Sequence, residues 1–271
     1  MAEQPKTSEA QGFSMVDDIV GLAARLMPSA HSPEAFTILC EEFGRLVPFQ
    51  NFIVYVFVDG AAPVLFQTNL GLPWLQNQMA DYINGLYVLD PFHRLTTERR
   101  AGLFRMRDIM PEAFPESEYY RHFYEQTTVT DEVRYVVPSG PAAAVHVFIE
   151  REGAVDPFSY RELALLECLE PLVRSFVLTH EEWRNANAVE ERPFEKFELR
   201  SQIAGLGAGI LTLREVDTVE LMLKGHSTKS MARVLGIDDG TAANHKRNIY
   251  AKLEVHSAAQ LFDLFLRSLT E

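Results

Sequence analysis

The stretch MARVLGIDDGTAANHKRNIYAKLEV, Met231 to Val255, restricts the architecture of this chain more than any other. Apolar residues recur at helical spacing on both sides of Gly236-Ile237-Asp238, so two helices meet there at a sharp turn. Gly236 suits the left-handed position that closes one helix. Asp238 suits the cap of the next, because its carboxylate can accept an orphaned backbone N–H. Met231, Ala232 and Leu235 form the inner face of the first helix, and Ala242, Ile249 and Leu253 that of the second. Asn244, Arg247 and Asn248 are then turned outward within the polar run Asn244 to Asn248.

The flanking sequence completes a four-helix unit. One helix runs from Leu213 to Lys224 and stops at Gly225, Ser227 caps the helix that holds Met231, and a last helix runs from Ala258 to Leu269. The last carries Leu261, Phe262, Leu264, Phe265 and Leu269, more apolar surface than so small a unit can bury by itself. Part of it is expected to meet another subunit.

The N-terminal part reads differently. Val16 to Met27 has helical periodicity, and a second helix follows with Ser32 as N-cap and Pro33 in its first turn. NFIVYVFV (Asn51 to Val58) and PVLFQTN (Pro63 to Asn69) are β-rich runs on either side of a short gap, and so are DEVRYVVP and AAAVHVFIER around Ser139-Gly140-Pro141; both pairs read as hairpins. LPWLQNQMADYINGLY and SEYYRHFYEQ read as helices. A long helix through Trp183 opens at Ser159 and Glu162, spaced as a capping box. The fold class is therefore α+β, an antiparallel sheet flanked by helices and followed by an all-α unit. The expected boundaries are residues 1–181 for the first domain, a polar linker at 182–204, and 205–271 for the second.

Composition limits what these parts can do. The net charge is −13, yet residues 211–271 hold eight Lys/Arg and eight Asp/Glu, so the whole excess lies in the first 210 residues. That acidic part is a poor partner for nucleic acid. Cys40 and Cys168 stand far apart without His or Cys neighbours, which fits a reducing compartment and no metal site. A polar N-terminus and the absence of an apolar run of roughly 20 residues lead to the expectation of a soluble, cytoplasmic chain. No Gly-rich phosphate loop, Gly-x-Ser-x-Gly or metal-ligand cluster is present, so neither an enzyme nor a cofactor is expected.

Leu211-Thr212, Arg214-Glu215, Lys224-Gly225, Ser227, Lys229, Ala232, Leu235, Ile237, Thr241, His245, Asn248-Ile249, Lys252-Leu253 and Val255 match, at the right spacing, the DNA-binding domain of LuxR-type transcriptional regulators. The resemblance implies that the third helix enters the major groove, the second braces it, and the fourth pairs two copies over a dyad-symmetric site. Carried over by position, Lys229 and Thr241 contact phosphate, His245 lies near the backbone, and Ala243, Asn244 and Arg247 face the bases. Asn can pair two ways with adenine and Arg two ways with guanine, while Ala can touch a thymine methyl. The chain departs from the pattern in four places. Ala242-Ala243 replaces a Val-Lys pair, Ser230 replaces a Glu, Glu254 replaces a Gly, and Ala258 replaces an Arg or Lys. The implied partners are double-stranded DNA, a second copy, a small-molecule effector and RNA polymerase.

The order helix, hairpin, helices, hairpin, long helix resembles GAF-like sensory domains. YINGLYVLDPFHRL is in addition similar to the autoinducer-binding domains of quorum-sensing regulators, with Tyr82, Tyr87 and Asp90-Pro91 in place. Trp74, however, stands eight residues before Tyr82 rather than one helical turn, which makes an acyl-homoserine lactone receptor the less favoured alternative. The expected ligand pocket comprises Tyr55, Trp74, Tyr82, Tyr87, Tyr135 and Phe148 with Phe57 and Phe66, and its polar anchors are Asp90 and His146. The competing reading is an interaction module that keeps the helix-turn-helix fold without most of its DNA affinity, since a neutral domain attracts phosphate weakly.

Overall fold

The computed structural model describes residues 7–58, 60–70, 81–125, 128–187 and 199–269. Its centre is an antiparallel sheet of β1 (Asn51–Val58), β2 (Val64–Thr68), β3 (Gly102–Arg105), β4 (Val129–Pro138) and β5 (Ala143–Glu152), in the order β2-β1-β5-β4-β3. Both expected hairpins are present. β1 lies along β5 over its full length, from Asn51 opposite Glu150 to Val58 opposite Ala143. Strand β3 escapes sequence reading because four residues at an edge give too short an alternation to register.

Both faces of the sheet are covered, so its strands are apolar on both sides. Helices α1 (Thr7–Ser29), α2 (Ala35–Leu46) and α3 (Tyr160–Ala186) cover one face, packing on Phe52, Val54, Val133, Tyr135, Val147 and Ile149. The expected capping box opens α3. Helix α2 differs from expectation: Pro33 lies in a turn before it, Glu34 precedes its first residue without a side-chain cap, and Ser32 contributes only its carbonyl to Ala35.

The other face, with Ile53, Tyr55, Phe57, Val136 and Phe148, is covered by short segments. These are a 3-10 turn at Leu86–Leu89, a helical turn at His93–Thr97, and a segment that passes from one α-turn at Glu118–Tyr120 into a π-turn at Arg121–Glu125. The helix expected from LPWLQNQMADYINGLY falls partly on residues 71–80, outside the described residues. Its described end is the helical turn at 81–83.

The C-terminal unit comprises α4 (Leu199–Gly205), α5 (Leu213–Leu223), α6 (Thr228–Leu235), α7 (Asp239–Lys252) and α8 (Ala258–Ser268). The expected connecting stretch 182–204 is helical at both ends, since α3 continues to Ala186 and α4 packs through buried Ile203 and an Arg200–Asp217 ion pair of 2.6 Å. Residues 188–198 lie outside the described residues.

This unit docks on the short segments of the N-terminal unit, and one apolar cluster runs through both. The expectation that α8 needs another subunit to cover Leu261, Phe262 and Phe265 is corrected here, because all three are buried within the single chain. Phe262 lies 5.7 Å from the ring of His122, and Leu266 and Leu269 border Asp81 and Asn84. Where Gly225 meets the N-terminal unit, a Cβ would stand 3.0 Å from Phe114 Cα and 3.0 Å from Ser117 Cβ, and its φ of +79° is itself left-handed.

Gly225→Asn is expected to loosen this docking, because Asn tolerates the left-handed backbone but brings a Cβ into the contact. Overpacking of this kind costs about 1–3 kcal/mol. The measurement is small-angle scattering with calorimetry. A larger radius of gyration and a split thermal transition are expected; an unchanged radius and a single transition would show that the contact yields locally.

Candidate DNA-reading face and sensor interior

The helix pair at the start of the sequence argument forms as its capping chemistry requires. Ser227 accepts the N–H of Ser230 at the start of α6, Gly236 closes that helix at φ 65°, and Asp238 accepts the N–H of Thr241 at 2.9 Å to open α7. Ala242 and Ile249 are fully buried, which turns Ala243, Asn244, Arg247 and Asn248 to solvent. Arg247 donates to Asn244 Oδ1 at 2.7 Å, so the two groups expected to face bases stand side by side. Lys229 is exposed, while Thr241 and His245 are half-buried. The Thr241 hydroxyl donates to Asp238 at 2.5 Å.

Some cations of the unit are already engaged. Lys252 pairs with Glu215 at 2.6 Å, which fastens the end of α7 to the capping box of α5. Lys246 borders a cleft that also contains Glu116 and Glu118 of the N-terminal unit. Glu254, standing where the resembled family has Gly, takes φ 54°. A side chain there is strained, so Glu254→Gly is expected to raise the stability of the C-terminal unit by about 1 kcal/mol. Denaturant unfolding checks this, and a lower midpoint would mean that the Glu254 side chain makes a stronger contact than the backbone strain it causes.

In the N-terminal unit, Tyr55, Tyr82, Tyr87, Asp90 and His146 do come together, all buried on the sheet face beneath the short segments. Tyr135 does not join them. It follows Arg134 on β4 and so points to the opposite face, where its hydroxyl donates to the Leu166 carbonyl at 2.6 Å among α1, α2 and α3. Phe66 packs on that same helical side. Trp74 lies outside the described residues.

Arg134 occupies the middle of the converging set, and sequence reading missed it. Its guanidinium carbon is 4.0 Å from the centre of the Phe92 ring and 3.6 Å from that of Phe148, Nη1 is 2.7 Å from Asp90, and Nε contacts Glu132. Asp90 also accepts the Tyr82 hydroxyl at 2.8 Å and the Phe92 N–H at 2.9 Å. Its carboxylate is thus satisfied by the chain itself. The signal was present in alternation, because Glu132 and Arg134 share a face with Val136 while Val133, Tyr135 and Val137 between and after them are apolar.

Burial sets the protonation states around this cluster. Burial, then Arg134 and His93, holds His146 well below its ordinary value, so the ring is neutral; its Nε2 lies 2.8 Å from the Thr96 hydroxyl. Burial and then Glu132 push Glu150 up from 4.5 to about 8, against a hydrogen bond from Asn51. The folded chain therefore keeps a proton that the unfolded chain loses above about pH 4.5, and stability falls as pH rises through that window to about 8. Melting curves should show a midpoint that drops across the window in the wild type and drops less in Glu150→Gln. Equal slopes would assign the titration to another group.

An open cleft of about 620 Å³ lies where the two units meet, with Tyr87 and Asp90 on one wall and Lys224 and His226 on the other.

Residues 209–265 match the family model described as bacterial regulatory proteins, luxR family. A putative HTH-type transcriptional regulator in the exeN 3′ region of Aeromonas salmonicida is 34% identical over 188 residues, 66% of this chain and 94% of that protein. The VqsR LBD domain from Pseudomonas aeruginosa superposes with a TM-score of 0.53 and 28% identity, over 60% of this chain and 96% of that one. Escherichia coli SdiA superposes with a TM-score of 0.44 and 17% identity, over 95% and 98% of the two chains.

Proposed function

The chain belongs to the luxR family of bacterial regulatory proteins, and from that premise we propose that it is a dimeric DNA-binding transcriptional regulator gated by a small molecule through its GAF-like N-terminal unit. The observation that carries the proposal is the outer face of α7. Ala243, Asn244 and Arg247 are solvent-exposed on a helix whose opposite face is locked into the unit by Ala242 and Ile249. Arg247 and Asn244 are the side chains best suited to two-point contacts with guanine and adenine edges. Lys229, Thr241 and His245 supply the backbone contacts. Two copies bind a dyad-symmetric site, since one neutral unit has too few cations to hold DNA tightly.

Small-molecule gating draws on the aromatic set of the N-terminal unit. Tyr55, Tyr82 and His146 lie in its closed interior, while Tyr87 and Asp90 border the open cleft, so a ligand meets the set from that side. The fit to an acyl-homoserine lactone is poor, because the Asp90 carboxylate already holds Arg134, Tyr82 and a backbone N–H.

One observation favours the reading without DNA binding: Ala243 stands where the family commonly carries a cation, and Lys252 is tied to Glu215. Selection of binding sites from random DNA by the full chain, followed by anisotropy titrations, separates the two. Arg247→Ala should cost about 1–3 kcal/mol at the selected site and relax one base pair. Lys229→Ala should weaken all sequences alike and flatten the salt slope by about one. Wild-type affinity in Arg247→Ala would reassign the reading face; failure to select any site would leave the interaction module standing.

A further inference from the structure

We propose that the interdomain cleft is the effector site, that it takes a small organic anion with an apolar body, and that occupancy holds the two units docked and weakens operator binding. This deepens the reading of a ligand-gated regulator and rests on it. The cleft's volume of about 620 Å³ is within the range of small-molecule pockets. Its walls come from both units, so a molecule inside it touches both. Tyr87, Ile109, Pro111 and Leu199 give it an apolar surface.

Among the described residues, cations stand on both walls of the cleft, Arg94 on one and Arg200 and Lys224 on the other. Asp90 also borders it, but its carboxylate is turned inward onto Arg134 at 2.7 Å. Arg200 pairs with Asp217 at 2.6 Å and lies 3.6 Å from Glu220, which is 2.7 Å from Lys224. Arg94 pairs with Glu98 at 3.4 Å, both half-exposed. The field is felt by His226, which also lines the cleft: burial, then Lys224 and Arg94, lowers its proton affinity. A carboxylate entering between Arg94 and Lys224 would meet two cations separated from each other by the domain boundary.

The consequence for DNA follows from what docking covers. With the units together, Phe262 of α8 faces His122 and Leu266 and Leu269 border Asp81 and Asn84, whereas Asn244 and Arg247 stay exposed. Docking thus leaves the reading face open and covers part of the helix proposed to pair two copies. A ligand that bridges the units favours the arrangement in which pairing is blocked, and by linkage DNA lowers ligand affinity by the same factor.

The test uses the full chain with octanoate as probe and octanol and octylamine as controls, read by titration calorimetry and by anisotropy at the selected DNA site. Octanoate should bind saturably, about tenfold or more tighter than either control, and Arg94→Gln and Lys224→Gln should each lose that margin while melting like the wild type. Octanoate should weaken DNA binding about 5- to 150-fold, and DNA should weaken octanoate binding equally. No saturable octanoate binding, equal binding of octanol, or undiminished binding in both variants overturns the proposal. So does octanoate binding that leaves DNA affinity unchanged. The two readings fail separately: site-selective DNA binding without octanoate binding removes the cleft, and octanoate binding without site-selective DNA binding removes the regulator.

Discussion

The buried guanidinium of Arg134 is the constraint around which the N-terminal unit is arranged. A strand whose covered face carries Glu132 and Arg134 cannot be sealed from water unless each charge finds a partner. Arg134 brings Asp90 down from the 3-10 segment, takes Glu132 from its own strand, and stacks between Phe92 and Phe148. Tyr82 donates to the same Asp90 oxygen that Arg134 approaches, the Phe92 N–H donates to the other, and Tyr124 donates to the second oxygen of Glu132. Removing one member of such a set typically costs about 3–5 kcal/mol, because it strands the others. The short segments that cover this face contain little regular structure, and the ion cluster is what fixes where they lie.

Filling the interior in this way moves the accessible surface elsewhere. Tyr55, Tyr82 and His146 form a closed aromatic layer, and Asp90 is already satisfied from inside. What stays open is a cleft at the outer margin of the same layer, bordered by the buried Tyr87 and completed by the C-terminal unit. Tyr55, Tyr82 and His146, which sequence reading gathered into a pocket, therefore lie beneath the cleft and do not line it.

The parts legible in the sequence are those governed by local rules. Gly236, Asp238, Ser227 and the Ser159–Glu162 pair announce helix ends because capping depends on residues within one turn. The hairpins showed in their β-branched runs and turns. Tyr135 and Phe66 were misplaced because an apolar strand buried on both faces gives no sign of which face a given aromatic will take. Arg134 went unnoticed for the complementary reason, since a lone cation on a strand normally marks the solvent side. Docking of α8 was not legible because it joins Phe262 to His122 across 140 residues of chain; its apolar excess was visible, but whether the chain or a second copy covers it is a tertiary matter.

The docked arrangement separates two requirements for operator recognition that a single helix-turn-helix unit joins. Reading is proposed to depend on the outer face of α7, which the N-terminal unit leaves uncovered, and pairing on α8, part of which meets that unit at His122, Asp81 and Asn84. Because residues 211–271 carry no net charge, the second requirement is the stronger, since each half-site alone gains little from phosphate attraction. A switch placed on α8 can therefore act on affinity at every site without altering which sequence is read. The packing at Gly225 bears on such a switch: with Phe114 and Ser117 each 3.0 Å from where its Cβ would stand, a side chain there works against docking and so against the cleft at the boundary.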